Sequence, residues 1–195
     1  KSTHSKLLYN YLKRHSYDCV YTREPGGTKV GEHIRRLLLH SNALDVSDLT
    51  EVFLFEAARA RLVDEIISPC LKKGRIVVCD RFSDATVCYQ GYGGKVPLKI
   101  IMALNNIATR GVKPNLTILL DVDVIRGLKM AKKKGADRIE LKGRAYHKRV
   151  KAGYLELARK EPNRIKVVKV KKDIYDTQRE IRRIVLDVLS RYKGS

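Results

Sequence analysis

Apolar residues recur along this chain in two patterns. One is the three- and four-residue spacing of a helix with one buried face. The other is the short continuous run of a strand buried on both faces. Leu7, Leu8, Tyr11 and Leu12 define a first helix from Thr3 to His15. Asp18 to Thr22 predicts a short strand, and the turn-rich Arg23-Glu-Pro-Gly-Gly-Thr28 follows it. Val30, Ile34, Leu37 and Leu38 make a second helix that Ser41 and Asn42 end. A third runs from near Leu49 to about Lys73, with a disturbance expected at Pro69. Ile76 to Cys79 is a strand followed by its own helix, and another helix extends from Pro97 to Arg110, ending at Gly111. Leu116 to Leu120 is a strand closed by Asp121, helices follow around 124–134 and 144–160, and Ile165 to Val170 is the last strand before a helix from Asp176 to Tyr192. Strands separated by helices predict right-handed crossovers and one parallel sheet covered on both faces. The expectation is a single α/β domain over residues 1–195, without repeat or linker.

The chemistry concentrates where the run Ile76–Cys79 ends on Asp80 and Arg81. Ligands of open parallel sheets bind beyond the carboxyl ends of strands, so an anion and a cation there mark a candidate site. Thr86, Tyr89 and Gln90 fall on one side of the next helix and look toward the same place. A local ion pair at a solvated strand end is the plainer alternative.

Charge sharpens the picture. The net charge is +20, and residues 126–195 hold 23 Lys and Arg against 8 Asp and Glu, whereas residues 1–125 hold 18 against 13. Arg126 to Lys151 alone carries 11 basic and 2 acidic residues. Such a block implies an anionic partner, a nucleic acid or a polyphosphate, and with Gly135 and Gly143 inside it a basic lid around 132–148 is expected. Cys19, Cys70, Cys79 and Cys88 form no metal-binding spacing and read as reduced thiols of a cytoplasmic protein. His4, His15, His33, His40 and His147 suggest no ligand set. No apolar run approaches the ~20 residues of a membrane span.

Lys1-Ser2-Thr3 before an apolar-periodic helix is how a phosphate-binding loop, GxxxxGK[ST], finishes. The pattern also supplies no strand ahead of the first helix. Both features fit the expectation that the chain as given begins inside that loop, with the first strand and the loop glycines upstream.

Thr22-Arg-Glu-Pro-Gly-Gly-Thr28, Phe55-Glu-Ala-Ala-Arg59, Asp80-Arg-Phe82 with Tyr89-Gln-Gly91, Asp137-Arg-Ile-Glu140 and Gly153-Tyr-Leu-Glu-Leu-Ala158 together resemble the bacterial and archaeal thymidylate kinases. The resemblance implies a P-loop kinase fold with three α/β/α layers, ATP-dependent phosphorylation of dTMP to dTDP, Mg²⁺, and a homodimer formed through helices. It implies roles residue by residue. Lys1, Ser2 and Thr3 would hold the ATP phosphates, with Ser2 and Asp80 on Mg²⁺. Arg81 and Arg35 would clamp the dTMP phosphate, since guanidinium matches phosphate bidentately. Arg23 and Glu24 would shape that pocket, Phe55 would stack on thymine, and Arg59 would donate to its 4-oxygen. Thr86 and Gln90 would complete the base edge, and Tyr89 would crowd the sugar. Arg138 would close over the transferring group as a lid arginine. Asn115 stands where an aspartate is frequent in the family.

Other readings stay open on the residues alone. Phe55 also fits a core position, and Arg59 a solvated helix charge near Glu56. A kinase for another pyrimidine monophosphate is the nearest rival. A basic nucleic-acid-binding module is the rival from another class, although the basic region has few aromatic residues for stacking.

Overall fold

The computed structural model describes residues 2–40, 46–132 and 135–192. Helix α1 (Ser2–Arg14) buries Leu8 and Leu12, the stripe that the spacing predicts. Strand β1 (Cys19–Arg23) pairs in parallel with β2 (Ile76–Asp80), in a register that sets Cys19 beside Ile76 and Arg23 beside Asp80. Strand β3 (Thr117–Asp121) pairs in parallel with β4 (Ile165–Lys169). Among the described residues these are two two-stranded sheets, not the one continuous sheet expected, because no described strand supplies partners between β2 and β3. A shared core still joins the pairs. Leu8, Leu12, Cys19, Val78, Val168, Ile181 and Val185 form one buried cluster, and Ile118 and Leu120 pack against it.

Both faces of the sheets are covered, as continuous apolar strands require. In β2, Ile76 and Val78 join the cluster beneath α1 and α9 (Ile174–Tyr192), whereas Val77 and Cys79 pack against Leu62, Val63 and Ile67 on the other side. The remaining helices are α2 (Lys29–His40), α3 (Asp48–Leu62), α4 (Ser68–Lys72), α5 (Ser83–Thr86), α6 (Leu98–Thr109), α7 (Val124–Lys132) and α8 (Arg144–Lys160). Ser41 and Asn42, expected to end α2, lie outside the described residues.

The helix expected to run to about Lys73 is broken one turn before Pro69. Residues Val63–Ile67 form a π turn, with the Ser68 N–H bonded to the Val63 carbonyl, and α4 starts anew with proline in its first turn. Proline has no N–H to donate and its ring clashes with the carbonyl four residues back, so a widened turn ahead of it accommodates both. A second π turn, Val87–Gly93, follows α5. Helix α8 packs closely on this turn. A Cβ at Gly93 would lie 2.7 Å from the Tyr146 ring, and one at Gly153 would lie 2.6 Å from the Tyr92 ring. The two glycines thus permit the contact that fixes the site helix against α8.

Candidate active site

The site gathers at the carboxyl ends of β1 and β2. The chain leaves β1 through a tight loop whose Glu24–Pro25 peptide is cis, with Gly26 at φ 135° and Gly27 at φ 82°. Both glycines adopt backbone angles that side chains disfavour. The Gly27 N–H donates to Glu32 Oε1 at 3.0 Å, and Arg23 pairs with the same carboxylate at 3.3 Å. Arg35 on α2 donates to the Pro25 carbonyl at 2.9 Å. The Glu24 N–H reaches the Asp80 carbonyl at 3.1 Å, tying the loop to the end of β2.

Arg81 follows Asp80 at φ 77°, a left-handed conformation that costs a non-glycine residue roughly 1–2 kcal/mol. Strain of this kind collects at functional sites. Here it turns the chain out of β2 so that the guanidinium lies 4.9 Å from the centre of the Tyr89 ring. Arg35 senses both Arg23 and Arg81. Burial is the largest influence lowering its pKa, the two neighbouring cations lower it further, and Glu32 and Asp137 offset part of this. Three arginines therefore converge where a doubly charged anion would be bound.

On the other side of Asp80, the Ser2 hydroxyl donates to Asp80 Oδ2 at 2.5 Å. Helix α1 and strand β2 thus bring together the hydroxyl and carboxylate expected to share a metal ion. Two hard oxygen donors fit Mg²⁺, which keeps several waters and takes one or two protein ligands beside substrate phosphates. Among the described residues there is no group of three His, Cys, Asp or Glu to suggest a softer metal. Thr3 lies exposed in the first turn of α1, and Lys1 lies outside the described residues.

Arg59 holds a different position from the one expected. It is almost fully buried, and all five of its N–H groups are used within the chain. Nε and Nη2 donate to Glu24 at 3.0 and 2.6 Å, Nη1 donates to Glu56 at 2.6 Å and Asn105 at 2.7 Å, and Nη2 also reaches Thr86 Oγ1 at 2.9 Å. The guanidinium lies 5.7 Å from the centre of the Phe82 ring. The expected donation to a base 4-oxygen would have to replace one of these bonds. Arg59 anchors the Glu24 loop, α5 and α6 to α3. Thr86 belongs to the same network, and Gln90 directs its amide nitrogen to Glu51 at 3.2 Å. Burial holds the pKa of Glu24 and of Glu56 above the usual carboxylate range, with Arg59 pulling each back.

Phe55 is half-buried and packs on a cluster that includes Leu38, Leu39, Cys88 and Tyr146, with Tyr89 against the same cluster. Tyr89 in turn meets Tyr154 edge-on, at 6.2 Å between ring centres. Arg81 therefore faces an aromatic ring that is itself packed on this apolar cluster.

Arg138, expected at the transferring group, is held elsewhere. Its Nε donates to the Leu38 carbonyl at 3.0 Å, its backbone N–H reaches the Leu39 carbonyl at 3.2 Å, and Nη2 pairs with Glu51 at 2.8 Å. In this structure the Arg138 guanidinium lies between α2 and the buried Glu51 carboxylate. The sequence reading did not single out Glu51 or Asn105, and it named Glu56 and Asp137 without giving either a role. The available signal was the four-residue stripe Glu51, Phe55, Arg59, which places charge on the same face of α3 as an aromatic.

The chain is similar to known proteins along most of its length. The family model described as Thymidylate kinase matches residues 1–181. A thymidylate kinase of Symbiobacterium thermophilum is 44% identical over 196 residues, covering 100% of this chain and 92% of that protein. One from Dehalococcoides mccartyi is 46% identical over 164 residues, covering 84% of this chain and 79% of that protein. The crystal structure of thymidylate kinase from Ehrlichia chaffeensis matches with a TM-score of 0.75 at 32% identity, covering 95% of this chain and 91% of that one.

Proposed function

The chain belongs to the thymidylate kinase family, and on that premise we propose how its residues carry out ATP-dependent phosphorylation of dTMP. The carrying observation is that Arg23 and Arg35 border the loop after β1, through Glu32 and the Pro25 carbonyl, and that this loop is bonded to the end of β2, where Arg81 follows Asp80 next to the Ser2–Asp80 contact. The acceptor is a phosphate dianion and needs no base to make it a nucleophile. What it needs is to be held in line with the donor while repulsion between the two anions is neutralised. Arg35 and Arg81 bind the dTMP phosphate, with Arg23 at its rim. An oxygen of that phosphate attacks the γ-phosphorus, the bond to the β-phosphate oxygen breaks, and dTDP and ADP result. Phe55 stacks on the base, Tyr89 packs beside the sugar, and Arg59 with Glu24 keeps the walls fixed. Lys1, Ser2 and Thr3 would hold the ATP phosphates. Ser2 and Asp80 would hold Mg²⁺, which supplies charge neutralisation when bound. With Arg138 held by Glu51, the exposed Lys132 and Arg144 remain as cations of the lid segment.

Titrating dTMP into wild type, Arg35→Ala and Arg81→Ala tests the assignment. A charge-assisted bond lost from each variant weakens dTMP by roughly 10- to 100-fold and leaves ATP binding little changed. Wild-type dTMP affinity in both variants would remove the arginine cluster from the acceptor site.

We also propose one domain that acts as a cytoplasmic homodimer. Leu49 and Phe53 on α3, and Ile100 and Ile107 on α6, are exposed apolar residues at helical spacing on two helices that pack together. The four cysteines are free thiols, which suits a reducing compartment, and no helix among the described residues is long and apolar enough to cross a membrane. Phe53→Glu combined with Ile107→Glu yields a monomer in sedimentation experiments, and an unchanged sedimentation coefficient would rule out this face. The basic surface is read as attraction for two phosphorylated substrates and not as a nucleic-acid platform.

A further inference from the structure

We infer that Glu51 is a positioning residue that ties the turn 137–142 to the acceptor pocket, an inference that rests on the acceptor site proposed above. Glu51 lies in the first turn of α3 and is completely buried. Its Oε1 meets Arg138 Nη2 at 2.8 Å and Lys142 Nζ at 2.9 Å, while its Oε2 accepts from Gln90 Nε2 at 3.2 Å. One carboxylate therefore holds both ends of a turn, and on its other oxygen it holds the helix that follows Arg81. Lys142 also pairs with Asp48 at 2.9 Å and lies 4.9 Å from the centre of the Tyr146 ring, so two anions and two cations balance.

The turn reaches the acceptor pocket from a second side. Arg138 donates from Nε to the Leu38 carbonyl at 3.0 Å and from its backbone N–H to the Leu39 carbonyl at 3.2 Å, on α2, the helix that carries Arg35. The Asp137 carboxylate accepts from the Glu140 N–H at 2.8 Å, and Glu140 receives the Asp137 N–H at 3.3 Å, which closes the turn on itself. The turn thus links α2, which carries Arg35, to the turn Val87–Gly93, which carries Tyr89. Stability alone does not require a buried charge here, because ion pairs of this kind are often replaced by apolar side chains at no loss. What the charge adds is one fixed register between the turn and the pocket. Occupying the pocket then orders the turn, and a disordered turn weakens the pocket.

The test compares wild type, Glu51→Gln, Lys142→Met and Glu51→Gln/Arg138→Ala. For each protein, KM for dTMP, KM for ATP and kcat are measured, together with tryptic cleavage at residues 132–144 with and without dTMP. In wild type, dTMP slows cleavage of the segment. In Glu51→Gln, KM for dTMP rises about 10-fold while KM for ATP stays within about 2-fold, as loss of one buried charged partner predicts. Protection by dTMP falls in parallel. Adding Arg138→Ala to Glu51→Gln brings little further change, because neighbouring mutations on one interaction are non-additive. If Glu51→Gln fails to fold, the partly exposed Lys142→Met carries the same expectation in smaller degree. Wild-type protein that binds no dTMP would sink the acceptor reading itself. Wild-type protein that binds dTMP while Glu51→Gln or, failing that, Lys142→Met keeps its KM and its protection would overturn the Glu51 inference alone.

Discussion

Arg59 shows how far residue type and spacing carry at the scale of a single side chain. Its position four residues after Phe55 is legible, but its partners are 35 and 46 residues away at Glu24 and Asn105, and no local pattern announces them. The same limit hid the anchoring of Arg138 by Glu51. Asp80, Arg81 and Ser2 were legible because a strand end and a helix start state their own locations. The buried network makes Arg59→Met a strong test. Removing it leaves Glu24 and Glu56 unpaired in the interior, a change that typically costs about 3–5 kcal/mol. Burial raises the folded-state pKa of both carboxylates, and a raised pKa stabilises the fold below the unfolded value and loses that contribution as pH rises through the folded one. Without Arg59 to oppose burial the shift grows. Stability of Arg59→Met by denaturant unfolding therefore falls more steeply than that of wild type between about pH 5 and pH 8. Parallel pH profiles for the two proteins would contradict this account of the network.

At the scale of elements, the order and type of helix and strand were legible almost throughout, because strongly periodic segments carry that information in short windows. The π turns were not. One sits ahead of Pro69, where the sequence signal pointed only to a disturbance at the proline itself. The other sits where Gly93 lets α8 approach, a requirement set by Tyr146 and Val150 far along the chain. Gly93→Ala places a methyl 2.7 Å from the Tyr146 ring and 2.8 Å from Val150. Overpacking of this kind costs typically about 1–3 kcal/mol, and the displaced turn carries Tyr89 and Gln90 with it. Thermal unfolding of Gly93→Ala should show a lowered Tm together with a raised KM for dTMP. An unchanged Tm would mean that α8 moves freely against this turn.

For the whole molecule, the parallel α/β class was legible, and so was the clustering of charge in the second half of the chain. The division into two strand pairs was not, since pairing depends on which strands become neighbours and the apolar pattern is the same for all of them. What the assembled structure adds is convergence. Strand ends, a glycine loop and the start of α1 bring three arginines, an aspartate and a serine hydroxyl to one place. The account's central claim is that this place holds an acceptor phosphate while ATP supplies the phosphoryl group. The most direct measurement is the initial rate of ADP formation with ATP and Mg²⁺, comparing dTMP with thymidine over the full chain. The two acceptors share base and sugar and differ only in the phosphate. The account predicts ADP release that depends on dTMP, with one dTDP per ADP, and a kcat/KM for thymidine lower by about 10⁴-fold, the rejection expected when a site built for a polar group finds it missing. Thymidine accepted as readily as dTMP, or ADP formed at the same rate without either, would contradict it.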